Sequence, residues 1–555
     1  MTLTIPTSIV EASDYEPLAN KRPSYRSNDV EVPQRELTDD MLRAISKAAE
    51  QVGEKGVYRV AEAILAAREG DLTKSVPRLT ALPQMLTAFL RHNLRDGWIY
   101  QRGADGYLSP WLVTDVEYHE SRQQGDKPYV TMSLVANGRG SGRFRGNGPS
   151  LGIKRSTVHF SGESVVRKRI SDLLTAQRLY VETPDLREEY DRGLVHYREV
   201  MDGGFAEQFR FSGKPSSDEY WADNSERVGR KVIHDLSPRE ISAPSEYAVS
   251  MLFSEDKGDV STKARKRSEV NEEDPGVGPV PIHFDVNVFD LGSHDFFWVN
   301  ALDLTRYVYD KTLRDKIVLP EDQRNLLDIL TTNLSDFTGD VIEGKSTGNV
   351  VLAKGEPGVG KTLTAEVYSE LIERPLYSIH SGNLGIDAET VRKNLETVFQ
   401  RAKRWNAVLL LDEADVFVLE RGDNISQNAI VAEFLRTLEY FDGLMFMTTN
   451  RANNIDDAIL SRAAAIIDYK IPDIDGIREV WKVQAKQQGV TLPEDLLEAL
   501  VHGFARIAPR DVKMLLRLAL RVAKGNEVPL DVDIFARCAM FRGLHFSEGS
   551  RKDEV

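Results

Sequence analysis

Residues 349–370 constrain the fold of this chain more than any other stretch. They open with the apolar run Val350–Ala353, which has the length and composition of a buried strand. Gly355–Thr362 follows and fits the pattern G-x-x-x-x-G-K-[ST] at every position. A helical pattern begins directly afterwards, at Leu363. Strand, glycine-rich loop and helix in this order predict a phosphate-binding loop, because a chance glycine-rich turn would lack these flanks.

The residues of this loop have separate predicted roles in binding a nucleoside triphosphate. Glycines let several backbone N–H groups point at one phosphate, beside the positive end of the helix. Lys361 is expected to reach the β- and γ-phosphates, and Thr362 to offer its hydroxyl to Mg²⁺. The predicted nucleotide-binding residues are Gly355, Glu356, Pro357, Gly358, Val359, Gly360, Lys361, Thr362 and Leu363.

Two acidic residues end the next strongly apolar strand. The run Ala407–Leu411 continues directly into Asp412 and Glu413. Ligands of parallel α/β sheets bind at the carboxyl ends of the strands, so these carboxylates should face the phosphates. We expect Asp412 to assist Thr362 with Mg²⁺, and Glu413 to polarise the attacking water.

Two further side chains complete the predicted catalytic set. The strand Met445–Thr449 ends at Asn450, whose neutral amide is suited to orient the water and sense the γ-phosphate. Arg462 lies between a short predicted helix, Asp456–Arg462, and the strand Ala464–Tyr469, a position suited to an arginine finger. The predicted catalytic residues are therefore Lys361, Glu413, Asn450 and Arg462.

These motifs, in this order and spacing, resemble those of the AAA+ ATPases. The segments that carry the resemblance are Gly355–Thr362, Leu409–Glu413, Thr448–Asn450 and Ser461–Arg462. They are most similar to the AAA branch that includes the proteasomal and FtsH proteins, and to a poorly characterised set from fungi, bacteria and large viruses. The resemblance spans residues 282–543. It implies an α/β fold, an AAA+ P-loop parallel-sheet domain with a C-terminal helical lid, and we expect a mixed α+β N-terminal region before it.

The resemblance also implies an assembly and a set of cofactors. ATP and Mg²⁺ would lie at the subunit interfaces of a homohexameric ring, where Arg462 would reach the γ-phosphate bound by the neighbouring subunit. Arg510, at the start of the helix Asp511–Val522, would act as a second sensor of the nucleotide. Arg451 and Arg436 are lesser candidates for interface arginines.

The sequence departs from the family pattern in two places. Ser461–Ala464 replaces the usual Arg-Pro-Gly-Arg, which leaves one predicted arginine finger instead of two. The loop Ser381–Asp387 carries the apolar Leu384 and Ile386 but lacks the aromatic residue expected of a pore loop. Processive threading of a polypeptide is therefore a weaker expectation than ATP hydrolysis.

Composition, patterning and the resemblance to AAA+ ATPases together predict the domain organisation along the chain. The predicted segments are a disordered tail (1–36), an N-terminal α+β client or partner domain (37–253), a linker (254–280), a small β or transition segment (281–319), the AAA+ nucleotide-binding domain (320–480), a helical lid (481–543) and a tail (544–555).

Charge and cysteine content exclude several classes of function. A formal net charge of -15 makes the whole chain a poor non-specific binder of nucleic acid. Cys538 is the only cysteine, which excludes internal disulfides and a Cys-based zinc cluster. No apolar run approaches the roughly 18 residues of a membrane span, and the first residues lack the pattern of a secretion signal. We therefore expect a cytoplasmic protein with no membrane partner.

One basic loop keeps a nucleic-acid partner open. The loop Asn137–Gly148 combines Arg139, Arg143 and Arg145 with Phe144 among glycines. Arginine charge and aromatic stacking on such a loop are typical of contacts with RNA or a phosphate backbone. A solvated hairpin loop is the preferred interpretation.

Three functions follow from these observations. The preferred one is an ATPase that remodels a macromolecular client, with a protein the expected client. The second is a nucleic-acid translocase, since Asp412–Asp415 spells the DEAD signature of helicases, although the other ordered helicase motifs are missing. The third is a slow, nucleotide-gated scaffold or switch. Glu413 and Asn450 argue against an inactive site but do not exclude slow turnover.

Overall fold

The structure, a computed structural model, describes most of the chain. The described residues are 2–23, 29–33, 36–120, 127–139, 151–203, 205–215, 225–235, 247–250, 265–266, 277–332, 349–421, 424–451 and 454–547. Most of the predicted arginine–glycine loop and most of the predicted linker lie outside these residues.

The described residues contain the following elements. The strands are β1 (Thr2–Pro6), β2 (Asp29–Pro33), β3 (Trp98–Arg102), β4 (Leu108–His119), β5 (Tyr129–Arg139), β6 (Leu151–Ser161), β7 (Leu179–Tyr180), β8 (Gln208–Gly213), β9 (Arg227–His234), β10 (Tyr247–Ser250), β11 (Arg265–Lys266), β12 (Val277–Pro279), β13 (Asp285–Asp290), β14 (Phe296–Asn300), β15 (Leu304–Arg306), β16 (Asn349–Gly355), β17 (Leu376–His380), β18 (Val408–Asp412), β19 (Leu444–Thr449) and β20 (Ala465–Tyr469). The α-helices are α1 (Thr7–Glu11), α2 (Glu16–Ala19), α3 (Asp39–Val52), α4 (Lys55–Arg68), α5 (Leu82–Asn93), α6 (Gly162–Val165), α7 (Ile170–Ala176), α8 (Pro184–Gly203), α9 (Glu321–Thr332), α10 (Lys361–Leu371), α11 (Ala388–Arg404), α12 (Asp415–Val418), α13 (Ile425–Leu438), α14 (Asp457–Leu460), α15 (Ile474–Gln487), α16 (Glu494–Gly503), α17 (Pro509–Gly525) and α18 (Val532–Met540).

The phosphate-binding loop belongs to a parallel sheet, which we call the P-loop sheet. Its strand order is β17-β18-β19-β16-β20. Along β16, Val350 and Leu352 pack into the apolar cluster of α11 and α13. Val351 and Ala353 pack into the cluster of α9 and α10 on the opposite face. Helices therefore cover both faces of the sheet, which explains why its strands are continuous apolar runs. The predicted α/β fold is confirmed.

The lid is a bundle of α15 to α18 packed around Trp481, whose side chain is fully buried. It begins at Ile474, because Asp473 caps α15 by accepting a hydrogen bond from the Gly476 N–H. The predicted boundary at residue 481 is therefore too late. Phe546 packs against Phe504 in the lid core, so residues 544–547 belong to the lid and not to the predicted tail.

The predicted disordered tail, residues 1–36, is wrong for residues 2–23 and 29–33, which the structure describes as ordered. β1 and β2 pair in an antiparallel ribbon, and Ile5, Leu18 and Val32 are fully buried. These side chains pack into the same apolar cluster as α3, α4 and α5. The prediction failed because the apolar residues of each short strand find their partners only in helices that follow later in the chain.

Two antiparallel sheets lie between this helical layer and the P-loop sheet. The N-terminal sheet has the order β6-β5-β4-β3-β7, and one of its faces packs on the helical layer. The second, which we call the central sheet, has the order β14-β13-β9-β8-β15. In it, Phe211 pairs with Leu304 and Ile233 with Phe289. The predicted boundary at residue 281 is wrong, because segments on both sides of it form one sheet.

The central sheet packs directly against the P-loop domain. Phe289 and Ile233 lie in the same apolar cluster as Trp405 at the end of α11. The ring centroids of Phe289 and Trp405 are 4.8 Å apart. The indole N–H of Trp405 donates a hydrogen bond of 2.7 Å to an Asp235 carboxylate oxygen. Within the described residues, no helix is both long and apolar enough to cross a membrane.

Candidate nucleotide site

Two glycines of the phosphate-binding loop are required by its geometry. Gly355 has φ of +143°, and a Cβ atom there would lie 2.1 Å from the carbonyl oxygen of Tyr469 on the adjacent strand. Gly358 has φ of +85°, and a Cβ there would lie 2.9 Å from Cβ of Arg510. Other residues rarely adopt positive φ, and neither site has room for a side chain. The loop is therefore shaped by contact with β20 on one side and the lid on the other.

Lys361 is the first residue of α10 and is 7% exposed. Its ammonium group donates hydrogen bonds to the carbonyl oxygens of Gly355 and Glu356, both at 2.7 Å, and to Oδ1 of Asn450 at 2.9 Å. Burial lowers the pKa of Lys361, and the nearby Asp415 and Asp412 oppose this shift. Three protein acceptors thus hold the three donors of this ammonium group. A bound phosphate would replace some of these acceptors.

Thr362 and Asp412, the two residues predicted to hold Mg²⁺, lie in contact. The Thr362 hydroxyl donates to Oδ1 of Asp412 at 2.9 Å, and the Thr448 hydroxyl donates to the same oxygen. A hydroxyl beside a carboxylate, open towards the phosphate site, fits the preference of Mg²⁺ for one or two protein oxygens completed by phosphate and water. Thr362 and Asp412 are the residues that would hold the ion.

Glu413 follows β18 in a strained backbone conformation. Its φ is +53°, which is uncommon for a residue other than glycine and is often found at functional sites. Its N–H donates to Oγ1 of Thr448 at 3.0 Å, which fixes this turn to β19. The side chain is exposed at the carboxyl edge of the sheet. It is available to accept a proton from a water molecule.

Asn450 is positioned at the end of β19 by Asp415. The carboxylate of Asp415 accepts hydrogen bonds from the Thr449 hydroxyl and from the Asn450 N–H. The amide oxygen of Asn450 in turn accepts the hydrogen bond from Lys361. The predicted sensor and the predicted phosphate-binding lysine are therefore in direct contact.

Arg462 lies near the amino ends of the strands of the P-loop sheet, whereas Lys361, Asp412 and Asn450 lie at the carboxyl ends. Ala465, three residues later, pairs with Val351, and Val351 lies four residues before Gly355 in β16. At roughly 3.3 Å per residue, the amino end of β20 is about 13 Å from the phosphate-binding loop. The guanidinium is held at this edge by the Glu439 carboxylate and by the Ala458 carbonyl oxygen, the latter at 3.0 Å. Arg462 is thus separated from the phosphate site of its own chain.

The remaining predicted residues differ in whether they contact the phosphate-binding loop. The Arg510 N–H donates to the Gly358 carbonyl oxygen at 3.1 Å, which places the start of α17 against the phosphate-binding loop. Leu363 is partly exposed on the first turn of α10. Arg451 and Arg436 are exposed, and Arg436 lies 3.8 Å from Glu433 on its own helix. Of these residues, Arg510 is the one that forms a hydrogen bond with the phosphate-binding loop within the part of the chain that the structure describes.

Sequence reasoning missed three residues that organise the site. Thr448 joins the carboxyl ends of β18 and β19 by hydrogen bonds. The Asp415 carboxylate accepts a hydrogen bond from the Asn450 N–H, and the Glu439 carboxylate accepts one from Arg462. Asp415 and Thr448 lie within the recognised motifs, so the sequence indicates that they are near the site. It does not indicate which side chains they bind. Glu439 has no local signal, because its partner lies 23 residues away.

The fold and the site together define a nucleotide-binding domain of the P-loop class. A five-stranded parallel sheet carries Gly355–Thr362 at the carboxyl end of β16, and Asp412 and Glu413 at the carboxyl end of β18. In a comparison with models of known protein families, residues 351–471 match the model of the "ATPase family associated with various cellular activities (AAA)". Residues 351–471 are thus similar to the AAA family of ATPases, in agreement with the resemblance found in the sequence.

Curated relatives share this part of the chain. The ATP-dependent zinc metalloprotease FtsH of Lactiplantibacillus plantarum is 26% identical over 38% of this chain and 30% of its own length. An uncharacterized AAA family ATPase of Sinorhizobium fredii is 26% identical over 34% of this chain and 61% of its own length. The proteasome-associated ATPase of Acidothermus cellulolyticus is 28% identical over 28% of this chain and 31% of its own length. The chain therefore spans less than two thirds of these relatives.

Proposed function

We propose that this chain couples ATP binding and hydrolysis to the remodelling of a macromolecular client, with a protein as the preferred client, and that it acts as a homohexameric ring. The observation that carries this proposal is the separation of Arg462 from the phosphate site of its own chain. An arginine finger must reach the γ-phosphate to act. Arg462 can therefore contribute only at the site of a neighbouring subunit, and a closed ring supplies every site with such a neighbour.

The site residues have distinct roles in the proposed reaction. Lys361 and the loop N–H groups would bind the phosphates, and Thr362 and Asp412 would hold Mg²⁺, which neutralises phosphate charge when bound. Glu413 would accept the proton of the attacking water, and Asn450 would orient that water. Arg462 of the adjacent subunit would stabilise the charge of the transition state, and Arg510 would report the nucleotide to the lid. A cytoplasmic location remains a prediction from the sequence.

Replacement of Glu413 by glutamine should trap the ATP-bound state. Glutamine keeps the shape of the side chain but cannot accept the proton of the water, so turnover should fall by about 10²–10⁴-fold while ATP stays bound. The measurement is the mass of the assembly in saturating ATP, together with identification of the proteins that co-purify. A hexamer with a bound protein supports the proposal. A variant that remains monomeric in saturating ATP would contradict the ring.

The ATPase activities of the wild type and of Glu413→Gln distinguish the two alternative functions. A nucleic-acid translocase predicts that single-stranded DNA or RNA stimulates the ATPase of the wild-type protein. Of the arginines in the predicted loop, the described one is Arg139, whose guanidinium lies 6.0 Å from the Trp298 ring centroid in the central sheet. A slow switch predicts a turnover near zero that Glu413→Gln does not change.

Contact with a client is expected at Ile386, in the loop that follows β17. Leu384 is 1% exposed and packs into the core, whereas Ile386 is 93% exposed. Both are apolar residues of the predicted pore loop, and of the two Ile386 is exposed to solvent. An exposed aliphatic side chain could contact an extended polypeptide without the aromatic residue that the family usually carries.

Ile386→Asp should therefore remove stimulation of the ATPase by an unfolded protein while leaving the basal rate unchanged. The measurement compares ATP turnover with and without reduced, carboxymethylated lysozyme. Val528→Asp is the control, because Val528 is also an exposed aliphatic residue, at 43%, but lies after α17 in the lid. Equal loss of stimulation in both variants would argue against a client contact at Ile386.

A further inference from the structure

The carboxylate of Glu370, near the end of α10, is 5% exposed and receives three hydrogen bonds. Lys231 Nζ donates to Oε1 at 2.8 Å, and the Tyr307 hydroxyl donates to the same oxygen at 2.6 Å. The Asp310 N–H donates to Oε2 at 3.0 Å. Burial by itself raises the pKa of Glu370, but the bonds from Lys231 and Tyr307 outweigh it, so the pKa lies below its usual value. The carboxylate is therefore held charged.

A charged carboxylate is poorly placed at this position unless it has partners. The carboxyl end of a helix carries partial negative charge, and burial removes the water that would solvate Glu370. All three donors come from outside the AAA-matched residues 351–471. Lys231 lies on β9, and Tyr307 and Asp310 follow β15. The nucleotide-binding domain thus relies on the central sheet to satisfy a buried charge of its own.

The donors are themselves fixed within the central sheet. The Lys231 ammonium lies 4.6 Å from the centroid of the Tyr307 ring, and the Arg210 guanidinium lies 5.4 Å from the same ring. The Tyr307 N–H donates to the Gln208 carbonyl oxygen at 3.1 Å. Cations over an aromatic face add attraction to the hydrogen bonds. This cluster joins β8, β9 and β15 to a single carboxylate.

The other end of the same helix binds the phosphates. α10 begins at Lys361, and Glu370 follows nine residues later. At a rise of 1.5 Å per residue, the two ends are about 13 Å apart along a rigid helix. A shift of the Glu370 end therefore moves Lys361 and Thr362 relative to Asp412 and Asn450, at the carboxyl ends of β18 and β19.

We propose that Glu370 is a positioning residue for the phosphate-binding end of α10, through which the central sheet and the nucleotide site influence each other. This inference rests on the proposed nucleotide site. Energetic coupling between two sites is reciprocal: if the sheet holds α10 in the form that binds nucleotide, bound nucleotide must stabilise the contact with the sheet.

A neighbouring ion pair provides a matched control. Lys311 Nζ lies 2.7 Å from Oε1 of Glu373, and this pair joins the same two segments as the Glu370 cluster. Its side chains are 65% and 56% exposed, so its removal should cost little. Glu373→Gln therefore changes charge at the same end of α10 without disturbing a buried contact.

The test compares the full-length wild type with Glu370→Gln, Tyr307→Phe and Glu373→Gln. Steady-state kinetics should give a KM for ATP raised by about tenfold in Glu370→Gln, with a smaller change in kcat, because Glu413 and Arg462 are intact. Tyr307→Phe removes one donor and keeps the ion pair, so it should give a smaller rise and serves if Glu370→Gln does not fold. Glu373→Gln should match the wild type.

Amide hydrogen exchange with and without the ATP analogue AMP-PNP and Mg²⁺ tests the reciprocal effect. The analogue should protect residues 355–362 in all four proteins, and should protect β9 and residues 305–310 in the wild type and Glu373→Gln but not in Glu370→Gln. Protection of β9 that persists in Glu370→Gln, or an equal loss in Glu373→Gln, would overturn the inference. Failure of the analogue to protect residues 355–362 in the wild type would instead overturn the nucleotide site, and this inference with it.

Discussion

Arg462→Ala is expected to lower kcat for ATP hydrolysis by about 10³–10⁵-fold, the range measured for arginine fingers, while nucleotide binding is retained. The reason is geometric: Arg462 lies at the amino edge of the P-loop sheet, beside Glu439, and does not contact the phosphate-binding loop of its own chain. Its loss should therefore affect the transition state of a neighbour and not the affinity of its own site. Turnover at saturating ATP and binding of a fluorescent ATP analogue measure the two effects separately.

Two further variants sharpen this result. Arg462→Lys should also be strongly impaired, because lysine keeps the charge but loses the planar, forked donors of arginine. Arg436→Ala is the comparison, since Arg436 is also exposed and is a lesser candidate for an interface arginine. A fall in kcat for Arg436→Ala as large as that for Arg462→Ala would remove the special role assigned to Arg462.

Lys361→Ala is expected to weaken ATP binding by about two orders of magnitude, because charged hydrogen bonds to phosphate contribute about 1.5–3 kcal/mol each. The ammonium is already buried and oriented by Gly355, Glu356 and Asn450, so it needs little rearrangement to meet a phosphate. Equilibrium binding of the fluorescent analogue measures the loss. Lys403→Ala is the matched control, since Lys403 is exposed and pairs with Asp442. Wild-type affinity in Lys361→Ala would show that nucleotide binds elsewhere.

The nucleotide-binding core was largely predictable from sequence because its signals are local. The buried strands of a parallel sheet are continuous apolar runs, and the loop glycines must stand where φ is positive or a Cβ would collide. Gly355 and Gly358 meet both conditions. Asp412 and Asn450 could be placed because each directly follows such a run.

The N-terminal half was less predictable because its contacts are distant in sequence. β8 pairs with β15 and β9 with β13, so strands of the central sheet pair although they are more than fifty residues apart in the sequence. β1 and β2 are short and bury only alternate side chains, which a local pattern does not distinguish from a polar tail. Pairs such as Lys231 with Glu370 likewise join residues whose separate sequence contexts carry no sign of a partner.

The most direct test of the shared site mixes two inactive variants. Lys361→Ala lacks a working phosphate site but keeps its arginine finger, and Arg462→Ala has the reverse defect. Dissociated and reassembled together, they would form rings in which some intact phosphate sites adjoin an intact finger. We predict that ATP turnover reappears in the mixture and is greatest near equal proportions. A mixture that stays as inactive as either variant alone, in rings shown to contain both, would contradict a site shared between subunits.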